Sequence, residues 1–190
     1  MFKFRGRIDI PLTELGILQA KAVGLRLQNE NISTIYSSPL LRAHASAEEI
    51  AKVHNLQVID HNGFIDLDFG TWQGELHSEL QRTQPGLYTR WLNAPHTVTF
   101  PMGETLSSVR ERVEHALAKL VTQHKDETIA ISTHGAVLRV IFCFLHDVGL
   151  ENYWKFGMDN CALSIAKFED NKYSILAEND NEHLIELSEK

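Results

Sequence analysis

The stretch that most constrains the fold lies at residues 129–139, where a short apolar run is followed by a histidine, a glycine and a second apolar run. The first run predicts a buried strand and the second predicts a helix. His134 and Gly135 therefore lie at the turn between them. Such a turn can bind an anion, because the first N–H groups of a helix have no partner within it and glycine allows close approach. A histidine of this kind, taken alone, is more often a satisfied core residue.

The rest of the chain alternates predicted helices with short predicted strands. Helices are predicted over residues 14–29, 40–54, 106–123 and 136–148, and strands over 32–38, 56–59, 128–132 and 162–168, with 173–177 as a hairpin partner. In the first helix, the residues that share an apolar face are Leu15, Leu18, Ala22 and Leu25. The alternation predicts a three-layer α/β/α sandwich with a mostly parallel sheet and an antiparallel edge strand.

Length, charge and cysteine usage narrow the class of protein. The 190 residues predict one domain over 1–190, with a helical insertion at 75–100. The net charge of −7 argues against nucleic-acid and acidic-membrane partners. The two cysteines and ten histidines show no metal-ligand spacing, so we expect no metal and no cofactor. No apolar run could span a bilayer, so a cytoplasmic location is the default, and the sequence leaves the oligomeric state open.

Three predicted loops leave the carboxyl ends of strands, where ligands of parallel α/β sheets bind. They cover residues 37–42, 66–74 and 132–135, and they carry Arg42, carboxylates including Asp66, and His134. An arginine, a carboxylate and a histidine can serve as a phosphate clamp, a proton donor and a transition-state donor. We therefore expect an anionic small molecule, such as a phosphorylated metabolite, as the partner.

Five segments in this order resemble the histidine phosphatase superfamily of phosphoglycerate-mutase-like enzymes. The matching segments are residues 6–16, 36–43, 66–74, 101–105 and 132–135. The resemblance implies phosphoryl transfer through a phosphohistidine, with arginines and a second histidine on the phosphate oxygens. It implies catalytic roles for Arg42 and His134, and no metal.

The same resemblance implies roles for further residues. Asp66 would be the general acid, although the family usually has glutamate there, and Asp68 is the alternative. Substrate contacts are expected from Arg5, Gly6, Gly135 and Glu104. Glu104 could instead be structural, in a turn before a helix. The absence of long insertions favours a small phosphatase, similar to alpha-ribazole phosphatases, over a glycolytic mutase.

One departure from the family pattern concerns the attacking histidine. The family carries it in an arginine-histidine-glycine motif on a first strand, and no residue of this chain matches that motif or that strand. His44 lies on the wrong element to replace it. We expect the true start to lie upstream of Met1, with the nucleophile there. The alternatives are a catalytically inactive, truncated protein that binds phosphoanions, and a mutase-type phosphoryl transfer.

Overall fold

The computed structural model describes residues 3–188, so Met1, on which the expectation about the start rests, lies outside the described residues. The helices are α1 (Glu14–Leu27), α2 (Leu41–His54), α3 (His77–Thr83), α4 (Pro85–Asn93), α5 (Leu106–Gln123), α6 (Gly135–Leu145) and α7 (Ile185–Ser188). The strands are β1 (Ile32–Ser37), β2 (Val58–Asp60), β3 (Thr128–Ser132), β4 (Leu163–Glu169) and β5 (Lys172–Asp180). The bounds of α1, α2, α5, α6 and the five strands agree with the sequence predictions to within a few residues, whereas α7 was not predicted.

The parallel sheet has three strands in the order β2-β1-β3. In its register, Ser37 lies opposite Asp60 on one side and Ser132 on the other, so the three strands end at the same level. The amide of Ser38 continues the ladder past the end of β1 by donating to the Ser132 carbonyl at 2.9 Å. This common edge is the one at which the sequence predicted a binding site.

The predicted hairpin is present as the antiparallel pair β4–β5. These strands form a two-stranded sheet of their own and do not hydrogen-bond to β3. Ala130 of β3 and Leu163 of β4 nevertheless pack against one apolar cluster with residues of α1 and α2. Within residues 3–188 no strand precedes α1, and β3 is an edge strand whose apolar residues are only half-buried.

Alternate side chains of β1 define the two faces of the sheet. Ile35 packs with α1 and α2, whereas Tyr36 packs with Ala116 and Leu120 of α5. On the α5 side, Val109 and Val113 meet Val137 of α6 in the largest apolar cluster. The predicted three-layer arrangement of helices around a mostly parallel sheet is confirmed.

The face that α1 buries is not the apolar face predicted from its leucines. Its buried residues are Gly16, Ala20, Val23, Gly24 and Leu27, whereas Leu15, Leu18 and Leu25 are 49%, 48% and 58% exposed. The buried face is built from small residues because α2 lies close: a Cβ on Gly24 would come within 2.6 Å of the Glu49 carbonyl oxygen. Close backbone approach, and not leucine burial, sets the packing of α1.

The insertion at 75–100 forms two short helices, with Pro85 at the start of α4. Tyr88 and Trp91 of α4 are buried in the largest cluster, where the Trp91 ring contacts Phe69 and Phe100. The insertion is therefore anchored on the aromatic residues of the 64–74 loop. Over the described chain, no helix is both long enough and apolar enough to cross a membrane.

Candidate functional site

The three predicted catalytic side chains meet at the carboxyl edge of the parallel sheet. The Nη2 atom of Arg42 lies 2.8 Å from Oδ2 of Asp66, and Nδ1 of His134 lies 3.7 Å from that same oxygen. Their side chains are 13%, 11% and 6% exposed, respectively. A cation, a carboxylate and an imidazole, far apart in sequence, thus share one nearly dry site.

Arg42 is oriented by the loop that precedes α1. Its Nη2 donates to the carbonyl of Gly6 at 2.6 Å, and its Nη1 donates to the carbonyl of Ile8 at 3.0 Å. Because Arg42 lies in the first turn of α2, these two bonds fix the loop to that helix. Gly6, predicted to contact substrate, thus contributes a backbone acceptor that positions the guanidinium.

His134 is the N-cap residue of α6 and has an extended backbone. Its Nε2 forms a 2.7 Å hydrogen bond with Oγ of Ser38, which also accepts from the amide of Leu40 at 3.3 Å. Burial, and then the positive charges of Arg42 and Arg112, lower the pKa of His134 to about 3. The imidazole is therefore neutral near pH 7, so its contact with Asp66 is not an ion pair.

Hydrogen bonds fix both the side chain and the backbone carbonyl of Asp66. Its Oδ1 accepts from the amide of Leu67 at 2.9 Å, and its carbonyl accepts from Nε of Arg7 at 3.2 Å and Nη2 of Arg112 at 3.3 Å. Burial raises the pKa of Asp66 to about 6, even though Arg42 opposes the shift. A carboxyl group with this pKa exchanges its proton close to neutral pH, as a general acid must.

Glu104 lies between two arginines instead of facing the cluster. It makes a 2.8 Å ion pair with Nη2 of Arg7 and accepts from Nε of Arg112 at 3.1 Å. Its other carboxylate oxygen accepts from the amide of Asp68 at 3.2 Å, while Nη1 of Arg112 reaches the carbonyl of Gly63 at 2.8 Å. Glu104 therefore fixes the loop that carries Asp66, and its predicted contact with substrate stays a prediction.

Asp68, the alternative acid, binds Gly70 and Arg7. Its Oδ1 accepts from the amide of Gly70 at 2.8 Å, and its Oδ2 lies 3.6 Å from Nη1 of Arg7. Gly70 has φ +53°, and a Cβ there would come within 2.0 Å of the Pro101 carbonyl oxygen. The loop at residues 66–74, here called the acid loop, thus packs tightly on the turn before α5.

Other predicted residues lie outside the cluster. Arg5 is exposed, and Gly135 begins α6 with its carbonyl 3.5 Å from Nη1 of Arg139. His44 pairs with Asp60 at 2.7 Å. Among residues 3–188, no second histidine contacts the cluster, and no three side chains of the His, Cys, Asp and Glu type are grouped as metal ligands.

Sequence reasoning missed Ser38 and Arg112. Ser38 was read only as part of the arginine motif, although a serine between a strand and a helix is a natural acceptor for backbone and side-chain donors. Arg112 lies on the amphipathic helix α5, where an arginine is usually solvated. Only the fold shows that its face of α5 meets the acid loop.

The site geometry and the fold define an α/β protein with a buried arginine, carboxylate and histidine at the carboxyl edge of its sheet. Residues 2–181 match the family model of the histidine phosphatase superfamily, branch 1, and the chain belongs to that superfamily. It is 37% identical to Phosphoserine phosphatase 1 of Hydrogenobacter thermophilus, over 97% of this chain and 88% of the relative. The protein is thus a phosphatase by class, as the resemblance predicted.

Solved structures support the same assignment of fold. Bacillus stearothermophilus YhfR superposes with a TM-score of 0.92 at 27% identity, covering 96% of this chain and 91% of that one. A putative alpha-ribazole-5'-P phosphatase from Escherichia coli gives a TM-score of 0.85 at 24% identity, covering 94% and 88%. The predicted phosphoglycerate-mutase-like architecture is confirmed.

Proposed function

We propose that the protein is a phosphomonoesterase for a small phosphorylated metabolite, acting through a phosphohistidine. The observation that carries this proposal is the buried cluster of Arg42, His134 and Asp66 at the carboxyl edge of the sheet. Phosphoryl transfer depends mainly on positioning and on stabilising charge that spreads over the phosphoryl oxygens. The cluster supplies groups for both tasks.

Arg42 and His134 bind the phosphoryl group. The guanidinium fork matches two phosphate oxygens, and the two carbonyls that accept from it fix its plane before substrate arrives. The neutral imidazole donates an N–H to a third oxygen. Both groups are nearly dry, and hydrogen bonds to developing charge are stronger in such a site than in water.

Asp66 protonates the oxygen of the leaving group. In the first step a nitrogen of the attacking histidine bonds to phosphorus, the P–O bond to the alcohol breaks, and Asp66 protonates the departing oxygen. In the second step Asp66 takes a proton from water, whose oxygen attacks phosphorus and releases the histidine. The pKa of about 6 suits a group that performs both transfers near neutral pH.

The attacking histidine comes from a strand that lies beside β3. The half-buried edge of β3 and the separate β4–β5 sheet, which share one apolar cluster, support such a strand position between them. A strand parallel to β3 would end beside His134, because β1 and β3 already end at that level. Its terminal side chain would then face a phosphoryl group held by Arg42.

Phosphoserine is the first substrate to test, because the Hydrogenobacter relative is named for it. A phosphorylated amino acid is small and anionic, so its phosphate can bind the Arg42 guanidinium although the chain as a whole is acidic. Alpha-ribazole phosphate is the second substrate to test. The side chains of the 75–100 insertion, which we propose shapes the pocket, would select between them.

The decisive experiment compares residues 1–190 with a version extended at the N-terminus by the arginine-histidine-glycine strand of the superfamily. We expect the extended protein to hydrolyse phosphoserine and para-nitrophenyl phosphate and to carry acid-labile phosphate after rapid quenching. His134→Ala should abolish both signals, and His44→Ala, outside the cluster, should leave them unchanged. We expect the 190-residue chain alone to show no phosphoenzyme burst.

Each other outcome has a definite meaning. Phosphate binding without turnover in the extended protein would favour the inactive, phosphoanion-binding alternative. Transfer of the phosphoryl group to a second alcohol in preference to water would favour the mutase-type reaction. Acid-labile phosphate on the 190-residue chain would contradict the need for an added histidine.

A further inference from the structure

The carboxylate of Asp66 occupies the position between Arg42 and His134 that an anion would take. Its Oδ2 is shared by the two, at 2.8 Å from Arg42 Nη2 and 3.7 Å from His134 Nδ1. The remaining bonds of Arg42 go to the Gly6 and Ile8 carbonyls. Three of the five guanidinium N–H groups thus have partners within the protein, and an anion placed between Arg42 and His134 must displace the Asp66 carboxylate.

The two backbone carbonyls cannot leave without moving the loop before α1, whereas Asp66 can leave by a side-chain rotation that also breaks its bond from the Leu67 amide. A carboxylate and a dianion that share one arginine repel each other strongly in a buried site. Protonation of Asp66 removes that repulsion and weakens the bond to Arg42. The Asp66 side chain can therefore move away from Arg42 when it is protonated.

We propose that the Asp66 carboxylate blocks the anion site between Arg42 and His134. An anion then binds only when Asp66 is protonated and its side chain moves out of that position. This inference rests on the proposed function and adds a consequence to it. When Asp66 is charged beforehand, each binding event takes up one proton, which stays on Asp66. Substrate binding thereby loads the acid with the proton that it later donates to the leaving oxygen.

The charged and titratable groups around Asp66 come from several elements. Burial keeps Tyr153 neutral by raising its pKa, and His134 is neutral because its pKa is low. Asp68 and Glu104 face Arg7 and Arg112 instead of the Asp66 carboxyl. The groups that face Asp66 are Arg42 of α2, His134 at the start of α6, Arg112 of α5, Arg7 of the loop before α1, and Tyr153 of the Leu150–Lys155 turn.

Sulfate is the appropriate probe, because it remains a dianion throughout the range in which Asp66 titrates. Calorimetric titration of residues 1–190 should show tighter sulfate binding as the pH falls. With a pKa of about 6 for Asp66, the neutral fraction and hence the affinity rise about 25-fold between about pH 7.5 and about pH 5.5. Proton uptake, measured in two buffers of different ionisation enthalpy, should approach one per sulfate at the higher pH.

Asp66→Asn is the matched variant, since it keeps the size of the side chain and removes its charge. It should bind sulfate more tightly than the wild type at the higher pH, and its affinity should change less than about twofold over the range. A wild-type affinity that does not change with pH, or weaker binding by Asp66→Asn, would overturn the inference. The wild-type profile is decisive even if the variant folds poorly.

The two proposals fail in different ways. Sulfate binding that needs Arg42 but is independent of pH contradicts only the closure by Asp66. Absence of sulfate binding in both the wild type and Asp66→Asn at every pH contradicts the phosphate site itself, and with it the proposed function.

Discussion

At the scale of single residues, burial determines the protonation states of the site. The same dry cluster raises the pKa of Asp66 to about 6 and lowers that of His134 to about 3. In both cases burial favours the neutral form, because a charge loses hydration inside the protein. The site therefore combines a neutral imidazole with a carboxyl group that can lose and regain its proton near neutral pH.

Asp66→Asn should change the pH dependence of stability. The pKa of Asp66 rises from 3.8 to about 6 on folding, so its stabilising contribution is full below about pH 4 and is lost as the pH rises through 6. The shift corresponds to about 3 kcal/mol. Relative to the wild type, the variant should gain about that much unfolding free energy between about pH 3.5 and about pH 7.5. Urea unfolding at both values would measure it, and a constant difference would argue against the raised pKa.

Arg112→Lys tests the support of the acid loop. Lysine cannot reproduce the planar contacts to Glu104 and to the Gly63 and Asp66 carbonyls. We expect a loss of about 2 kcal/mol of unfolding free energy, since charged hydrogen bonds in a half-buried site are lost. Arg110→Lys, which alters a more exposed pair on the same helix, is the control and should cost only a few tenths of a kcal/mol. Equal effects in thermal unfolding would contradict a special role for Arg112.

At the scale of elements, the sequence predicted most helices and strands but not every packed face. In α5 the apolar period coincides with the buried face, because Val109, Val113 and Leu120 are both apolar and buried. In α1 the predicted apolar face is not the buried face, because the helix packs through small residues and leaves its leucines exposed. The periodicity of apolar residues predicts which face of a helix is apolar. Close packing of two helices depends instead on small side chains at the contact, and apolar periodicity does not detect these.

Gly70→Ala tests the packing of the acid loop on the turn before α5. Alanine is strained at φ +53°, and its Cβ would clash with the Pro101 carbonyl oxygen. We expect a destabilisation of about 2 to 4 kcal/mol. Gly86→Ala is the matched control: Gly86 lies in α4 with open space around its Cα, so alanine should be neutral or stabilise by up to about 1 kcal/mol. Chemical denaturation of both variants would decide, and a neutral Gly70→Ala would contradict this packing.

At the scale of the whole molecule, the site is built from three chain segments that only the sheet brings together. The sequence predicted this convergence, because carboxyl ends of parallel strands share an edge. It could not predict that Arg7 and Arg112 would hold Glu104 and the acid loop, since those contacts depend on how α5 and the loop before α1 meet. The antiparallel pair was predicted, but its separation from β3 was not.

The edge of β3 should exchange its amide hydrogens faster than β1. Strand β1 has a partner on both sides, whereas β3 pairs only with β1 within the described chain. Hydrogen exchange read by mass spectrometry should show rapid labelling of part of residues 128–132 and slow labelling of residues 32–37. Addition of the arginine-histidine-glycine strand should slow exchange at β3, and no change there would argue against a strand position beside it.

Arg42, His134 and Asp66 are proposed to form a phosphoryl-binding site. Broadening of the ³¹P resonance of orthophosphate, titrated with residues 1–190 near pH 6, measures this binding directly. We expect saturable broadening that Arg42→Ala weakens by about tenfold or more, because a charged hydrogen-bond donor is lost. Orthophosphate that binds equally well to the wild type and to Arg42→Ala would contradict the claim.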